Sequence, residues 1–384
     1  MKNIKVCLRM TTANPFYDDL LNFPPEGVVY KIPGLVTTRK DHAIVRKIKK
    51  RFWIEYTKFR PPAVFVKAEG TDLIHSLNGM MILNKYPWII DAEHVAAFCN
   101  FHTDKLEKIQ YRNQIKKLLS SEYCKKILPW SFASKKTIED FFNNPMINEK
   151  LEVVYPAVQK SKYKVHREGD RVKLLFIGSL KKMTFYEKGG LQLLKAFEIL
   201  DKKYDVELTI ITNIPEELKN KWGGFNNIIF HPANLTREEL LKNYYSKSDI
   251  FVFPSFYDTF GGVLLESMSC SLPIVASDIF AIPEIVEDGK NGILVHPPIS
   301  MFADDFSVKW GPKTSKWKEF LDITKKINGD FIQDLVEKTS ILIEDKSLRS
   351  KMGKNGKKQI EKGKFSIEKR NKQLKKIYEE AIRC

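Results

Sequence analysis

The chain has no apolar run long enough to cross a bilayer. About 18 consecutive apolar residues would be needed, and the 384 residues contain no such stretch. The start, MKNIKVCLRM, lacks the apolar core of a secretory signal. Cysteine is scarce: Cys7, Cys99, Cys124, Cys270 and Cys384 are odd in number, scattered and without a CxxC pair. That spacing indicates neither a zinc site nor a disulfide framework, and it fits a reducing cytoplasm. No internal repeat or low-complexity tract occurs. No Asp-x-Asp follows a strand-like run; Asp18-Asp19 and Asp304-Asp305 sit in irregular contexts and read as surface. No DNA- or RNA-binding motif accompanies the positive charge.

What is present is a globular composition. Hydrophobic content of 43% supports large cores, and the length suits about two domains. The 64 Lys+Arg against 47 Asp+Glu leave a formal charge of +17. The excess is densest over Arg39–Arg60, with nine basic and two acidic residues. Such a field draws anions: nucleotide diphosphates, acidic lipid head groups or nucleic acid. A solvated, lysine-rich surface accounts for it equally well. Arg51-Phe52-Trp53 and Trp130-Ser131-Phe132 mix aromatic and basic character and are candidates for peripheral contact with an anionic membrane. Ordinary core aromatics beside solvated lysines are the alternative.

Short apolar runs alternate with amphipathic stretches. Strands are predicted at Ile4–Leu8, Ala63–Val66, Leu73–His75, Trp88–Ile90, Val153–Tyr155, Val172–Gly178, Val206–Ile211, Ile228–Phe230, Ile250–Phe253 and Pro273–Ala276. Helices are predicted at Lys105–Leu119, from about Lys135, at Leu191–Leu200, near Glu216, at Thr236–Tyr245 behind a Thr236/Glu239 capping box, and from Phe331 onward. This alternation implies an α/β chain with parallel, doubly wound sheets, whose ligands bind beyond the carboxyl ends of the strands. The polar run 159–171, QKSKYKVHREGDR, is the linker candidate.

The most informative stretch is DIFVFPSFYDTFGGVLLE, Asp249–Glu266. It reads as a buried strand, a turn at Pro254-Ser255, an acid at Asp258, a glycine turn opening a helix, and a second acid at Glu266. The first turn of a helix offers unpaired N–H groups and a positive dipole end, and glycine lets an anion approach them. A ligand with a phosphate in the middle and hydroxyls at both ends suits this pattern. A capping role for Asp258 is the alternative.

These residues, with KLLFIGS…EKGGLQLLKAFEIL before them and SLRSKMGKNGKKQIEKGKFSIEKRNKQLKKIYEEA after them, resemble retaining glycosyltransferases of family 4. The resemblance runs from about Lys173 to Ala381, apart from an insertion at about 297–330. DLIHSLN, PWIIDAEHV, KKILPWSFASKKTI and LEVVYP resemble the family's acceptor-side domain more weakly. It implies a GT-B fold: two Rossmann-like domains facing across a cleft, spanning 1–165 and 166–365, with a helix at 366–384 crossing back to the first. The family's E-x7-E signature stands here as Asp258-x7-Glu266. By resemblance Asp258 contacts the donor sugar, Glu266 the ribose, and Lys188 the diphosphate. Gly178 and Ser179 stand where the family has glycine and arginine, and Lys181 or Lys182 is the candidate replacement charge. Backbone N–H groups of Phe260, Gly261, Gly262 and Val263 face the diphosphate, and backbone at Asn234 and Leu235 meets the base. PWIIDAEHV ends with Asp91, Glu93 and His94 after a strand-like run, and by resemblance Glu93 and His94 compete to face the reacting centre from the acceptor side.

The implied activity is transfer of a hexose, with retention, from a UDP- or GDP-linked donor to a carbohydrate or lipid-linked acceptor. Neither a metal nor a permanently bound cofactor is expected, nor a nucleic-acid partner. A non-catalytic nucleotide-sugar-binding or scaffold protein on the same fold is the alternative. The expected location is cytoplasmic, with or without peripheral contact on the inner face of the membrane.

Overall fold

The computed structural model describes residues 3–10, 14–33, 60–163, 165, 169–178, 185–311 and 314–383. Ser179, Lys181, Lys182 and the Arg51-Phe52-Trp53 cluster lie outside these residues. The chain divides into two compact units: Met1–Pro156 with Gly311–Ser315 and Glu368–Cys384, and Ala157–Trp310 with Lys316–Ile367. The division falls ahead of the 165/166 boundary read from the sequence. It also splits the 297–330 insertion, assigning Gly311–Ser315 to the first unit.

The first unit is built on a five-stranded sheet of order β2-β1-β4-β6-β7. Its strands are β1 Ile4–Arg9, β2 Val28–Lys31, β4 Leu73–Ser76, β6 Trp88–Ala92 and β7 Cys124–Pro129. All neighbours are parallel. A separate parallel pair joins β3 Ala63–Val64 to β5 Met81–Ile82. β4 and β6 are buried along their whole length, as parallel strands covered on both faces are.

Three expectations change here. Val153–Tyr155 is not a strand. The segment runs beside β7 and donates from Glu152 N to Ile127 O and from Val154 N to Pro129 O. Pro129 has no N–H to return, so the ladder stops at an isolated Ile127–Leu151 bridge. Of the two readings of Trp130, the core one replaces the surface one. Trp130 is buried and packs edge-on against Phe16 and Tyr17, while Ser131 caps the helix Phe132–Phe142. Only Phe132 of that trio is exposed. The basic helix expected over Lys105–Leu119 starts later, at Ile109, after a short 3-10 turn. The helix Pro15–Asn22 and strand β2 were not anticipated.

The helix Ile367–Arg383, from Glu368 on, completes the first unit. Arg370 is buried and donates to the carbonyls of Asp19 and Phe23, which close the helix Pro15–Asn22. Asn371 bonds Phe23 O as well. Tyr378 links the Tyr30 hydroxyl at 2.9 Å to His75 Nδ1 at 2.8 Å, inside the sheet's face.

The second unit has a six-stranded parallel sheet of order β10-β9-β8-β11-β12-β13. Its strands are β8 Val172–Ile177, β9 Val206–Ile211, β10 Ile228–His231, β11 Ile250–Phe253, β12 Ile274–Ser277 and β13 Gly292–Val295. The chain winds outward from β8 through β9 to β10, then starts again from β11 in the other direction. The order therefore reverses between β8 and β11, and the carboxyl ends at such a reversal are where sheets of this kind bind ligands. β11 and β12 are wholly apolar or small and wholly buried. The helix expected over Thr236–Tyr245 is a four-residue α-helix, Arg237–Leu240, followed by a π turn, Leu241–Tyr245.

Arg370→Ala removes the donor that satisfies two helix-end carbonyls and opens a gap in the core. A loss of about 2–4 kcal/mol is expected, read as a lower melting temperature than wild type.

Candidate active site

The carboxyl end of β8 leads into the segment that ends at Gly189, and the carboxyl end of β11 leads into Pro254–Gly261. Backbone joins the two loops at the switch point: Phe256 N donates to Glu187 O at 2.8 Å. Gly189, at φ 73°, opens the helix Gly190–Lys203. A Cβ there would stand 1.9 Å from Pro254 O, so only glycine lets the two loops close to this distance.

This junction places Lys188 against Asp258. Lys188 Nζ lies 2.7 Å from Asp258 Oδ2 and also bonds Tyr257 O. Both side chains are largely buried, at 12% and 14% exposure. The rings of Tyr257 and Phe253 lie 5.1 and 5.5 Å from the ammonium, within cation–π range. The other oxygen of Asp258, Oδ1, accepts from Phe260 N at 3.0 Å. Asp258 is therefore both a local turn-former and the partner of Lys188. Because Asp258 takes the Phe260 N–H, that group does not belong with those of Gly261, Gly262 and Val263 as an anion contact.

Gly261, at φ 78°, precedes the helix Gly262–Ser269 as its N-cap. The first-turn N–H groups of a helix have no acceptor within it, so Gly262 and Val263 present theirs toward the β11 loop. Glu266, one turn further on, is buried. Its Oε1 lies 2.8 Å from Arg237 Nε, and its Oε2 accepts from the Tyr245 hydroxyl at 3.2 Å. Arg237 follows Asn234 and Leu235 in the loop after β10, so this ion pair ties that loop to the Glu266 helix. Gly178 ends β8 against Thr212, which lies 2.4 Å from where its Cβ would stand.

In this way the second unit brings Lys188, Asp258, Gly261, Gly262, Val263, Glu266 and the Asn234–Leu235 loop to the carboxyl edge of one sheet. The sequence reading missed three neighbours. Arg237 and Tyr245 hold Glu266, and Glu187 lies beside Lys188. The capping box in front of Arg237 was the available signal for the first of them. Glu187 is buried, and its Oε2 has no hydrogen-bond partner among the described residues. Burial raises its pKa from 4.5 to about 7, against the opposing pull of Lys188.

In the first unit, β6 ends in Asp91, Glu93 and His94. Asp91 is buried and raised to about 7 by burial, although Asn78 N, Trp130 and Tyr17 donate to it. His94 is fully buried. Its Nδ1 accepts from Ala96 N at 3.3 Å and caps the 3-10 helix Val95–Cys99, and burial lowers its pKa to about 3. The imidazole is thus a neutral structural cap. Glu93 is the more exposed of the two candidates. Among the described residues no three His, Cys, Asp or Glu side chains cluster as metal ligands, and no helix is long and apolar enough to cross a membrane.

Glu187 predicts a pH-dependent stability. Its folded pKa lies above its unfolded one, so its contribution is full below pH 4.5 and is lost as pH rises to about 7. Glu187→Gln should raise stability by about 2 kcal/mol at pH 8. The gain should shrink as pH falls toward 4.5. Thermal melts across that range check it, and a pH-independent difference would contradict it.

Residues 171–307 match the family model described as Glycosyl transferases group 1. An uncharacterized glycosyltransferase of Methanocaldococcus jannaschii is 25% identical over 213 residues, covering 50% of this chain and 51% of that protein. The capsular polysaccharide biosynthesis glycosyltransferase CapM of Staphylococcus aureus is 24% identical over 300 residues, covering 77% and 65%. The chain thus spans half to just under two thirds of these relatives. Among solved structures, Anabaena HepE in complex with UDP and glucose superposes with a TM-score of 0.62 at 14% identity, over 97% of this chain and 99% of that one. The fold is GT-B, and residues 171–307 of its second unit match the group 1 glycosyltransferase model.

Proposed function

We propose, from a GT-B chain with a group 1 glycosyltransferase unit, that this protein is a retaining glycosyltransferase. It moves a hexose from a nucleoside diphosphate sugar to a carbohydrate or lipid-linked acceptor. The observation that carries the reading is the Lys188–Asp258 pair at 2.7 Å, set at the switch point beside the opening of the Glu266 helix. One cation, one turn of backbone N–H groups and two carboxylates, spaced along one sheet edge, match a diphosphate with a sugar on one side and a ribose on the other. The crystallised neighbour that binds UDP and glucose supports this choice of ligand class.

In this reading the donor diphosphate becomes the partner of Lys188. The first-turn N–H groups of Gly262 and Val263 and the helix dipole share its charge. Asp258 turns its Oδ2 to a sugar hydroxyl while Phe260 N keeps hold of Oδ1. Glu266 accepts from the ribose. As the glycosidic bond breaks, charge grows on the leaving diphosphate, where a fixed cation and fixed dipoles stabilise it most. A diphosphate oxygen takes the acceptor proton on the face it leaves, so configuration is retained without a protein nucleophile or a metal. Glu93 is the acceptor-side carboxylate of the proposal.

Incubation with a panel of UDP- and GDP-sugars and model acceptors should give turnover with at least one donor, with the product's anomeric configuration read by NMR. Lys188→Ala and Asp258→Ala should each lower kcat about 10²–10³-fold, with melting temperatures measured alongside. Near-wild-type rates in both variants would reject the site. Donor binding without turnover on any acceptor would favour a non-catalytic binding protein.

A further inference from the structure

Glu266 is held from two directions by one short segment. A capping box fixes the start of that segment: Glu239 N donates to Thr236 Oγ1, and Thr236 N donates to Glu239 Oε2. Arg237 is then the first helical residue, and its Nε reaches Glu266 Oε1 at 2.8 Å. After one α turn the helix widens. Ser246 N donates to Leu241 O, five residues back, and the Ser246 hydroxyl takes the Lys242 carbonyl at 2.6 Å. The extra residue in this π turn sets the register of Tyr245, which is fully buried and donates to Glu266 Oε2 at 3.2 Å. Burial, and then the Glu266 carboxylate, keep the Tyr245 pKa well above its usual value, so its hydroxyl remains a donor. π turns inside helices recur at functional sites.

We infer that Arg237 and Tyr245 are positioning residues that orient the Glu266 carboxylate toward the two ribose hydroxyls of a nucleoside diphosphate. The inference rests on the proposed donor-site reading and adds to it the source of discrimination between ribose and deoxyribose. A carboxylate can accept at both oxygens, but it meets two neighbouring hydroxyls only if its plane is set. Arg237 sets its positive charge against one oxygen as an ion pair, and the Tyr245 hydroxyl donates to the other. The site is not sealed: Arg237 is 26% exposed and Glu266 9%. Arg237 also stands two residues after Leu235, with the cap Thr236 between them, and Asn234 and Leu235 are the backbone proposed to meet the base, so one capped turn would serve both ends of the nucleoside.

Titration calorimetry on the full chain tests this, using UDP, GDP and their 2′,3′-dideoxy forms. Wild type should prefer the ribose form of whichever nucleotide it binds by about tenfold or more. In Arg237→Ala the preference should fall several-fold, mostly through weaker binding of the ribose form, with the dideoxy affinity nearly unchanged. Tyr245→Phe removes only the hydroxyl and should shift the ratio in the same direction, which keeps the test informative if Arg237→Ala folds poorly. Equal weakening of both nucleotide forms, or an unchanged ratio in folded variants, overturns the inference. A wild type that binds nucleotide with no ribose preference overturns the ribose role of Glu266 itself, and this inference with it.

Discussion

One backbone contact organises the second unit's functional edge: the close approach of the loop before Gly190 to the loop after β11. Phe256 N reaches Glu187 O, and Gly189 lies flat against Pro254 O. Parallel strands buried on both faces expose only their ends, so chemistry must be mounted on the connecting loops. Joining the two loops at the point where strand order reverses ties them into one shelf. Lys188 and Asp258 follow from this. They are 70 residues apart in sequence, yet adjacent residues of each loop form the junction that brings them together.

The same shelf sets two carboxyl groups in opposite circumstances. Asp258 has both oxygens engaged, one by a backbone N–H and one by Lys188. Glu187, next to Lys188 in the chain, points into the interior and is driven toward its neutral form by burial. A buried ion pair contributes little net stability, but losing one partner strands the other charge at a cost of about 3–5 kcal/mol. The Lys188–Asp258 pair therefore holds the edge in shape.

Most strands were legible, because a fully buried parallel strand is a short unbroken apolar run, as in IFVF and IVAS. The failures have local physical causes. Val153–Tyr155 has strand composition, but its neighbour Pro129 cannot complete the ladder. Pattern alone does not reveal that the His94 ring is enclosed and that its Nδ1 caps the Val95–Cys99 turn. The structure brings Asp258, Glu266, Lys188 and the glycines, which the sequence singles out along short motifs, to one sheet edge. The Arg237–Glu266 and Tyr245–Glu266 contacts were not legible in the sequence. The Tyr245 contact depends on a π turn, and one extra residue in a helix leaves no trace in hydrophobic periodicity; the capping box marks where the Arg237 helix starts but not what Arg237 reaches.

The helix from Glu368 onward lies in the first unit, with Arg370 on the carbonyls of Asp19 and Phe23 and Tyr378 between Tyr30 and His75. On the ribosome, those partners emerge long before Arg370 and Tyr378 are made. The whole second unit is synthesised in between. During that interval the early sheet exposes the Tyr30 and His75 face that the late helix will cover, and the two carbonyls stay in water. Vectorial synthesis thus runs against the order of assembly here: the unit translated first is the one completed last.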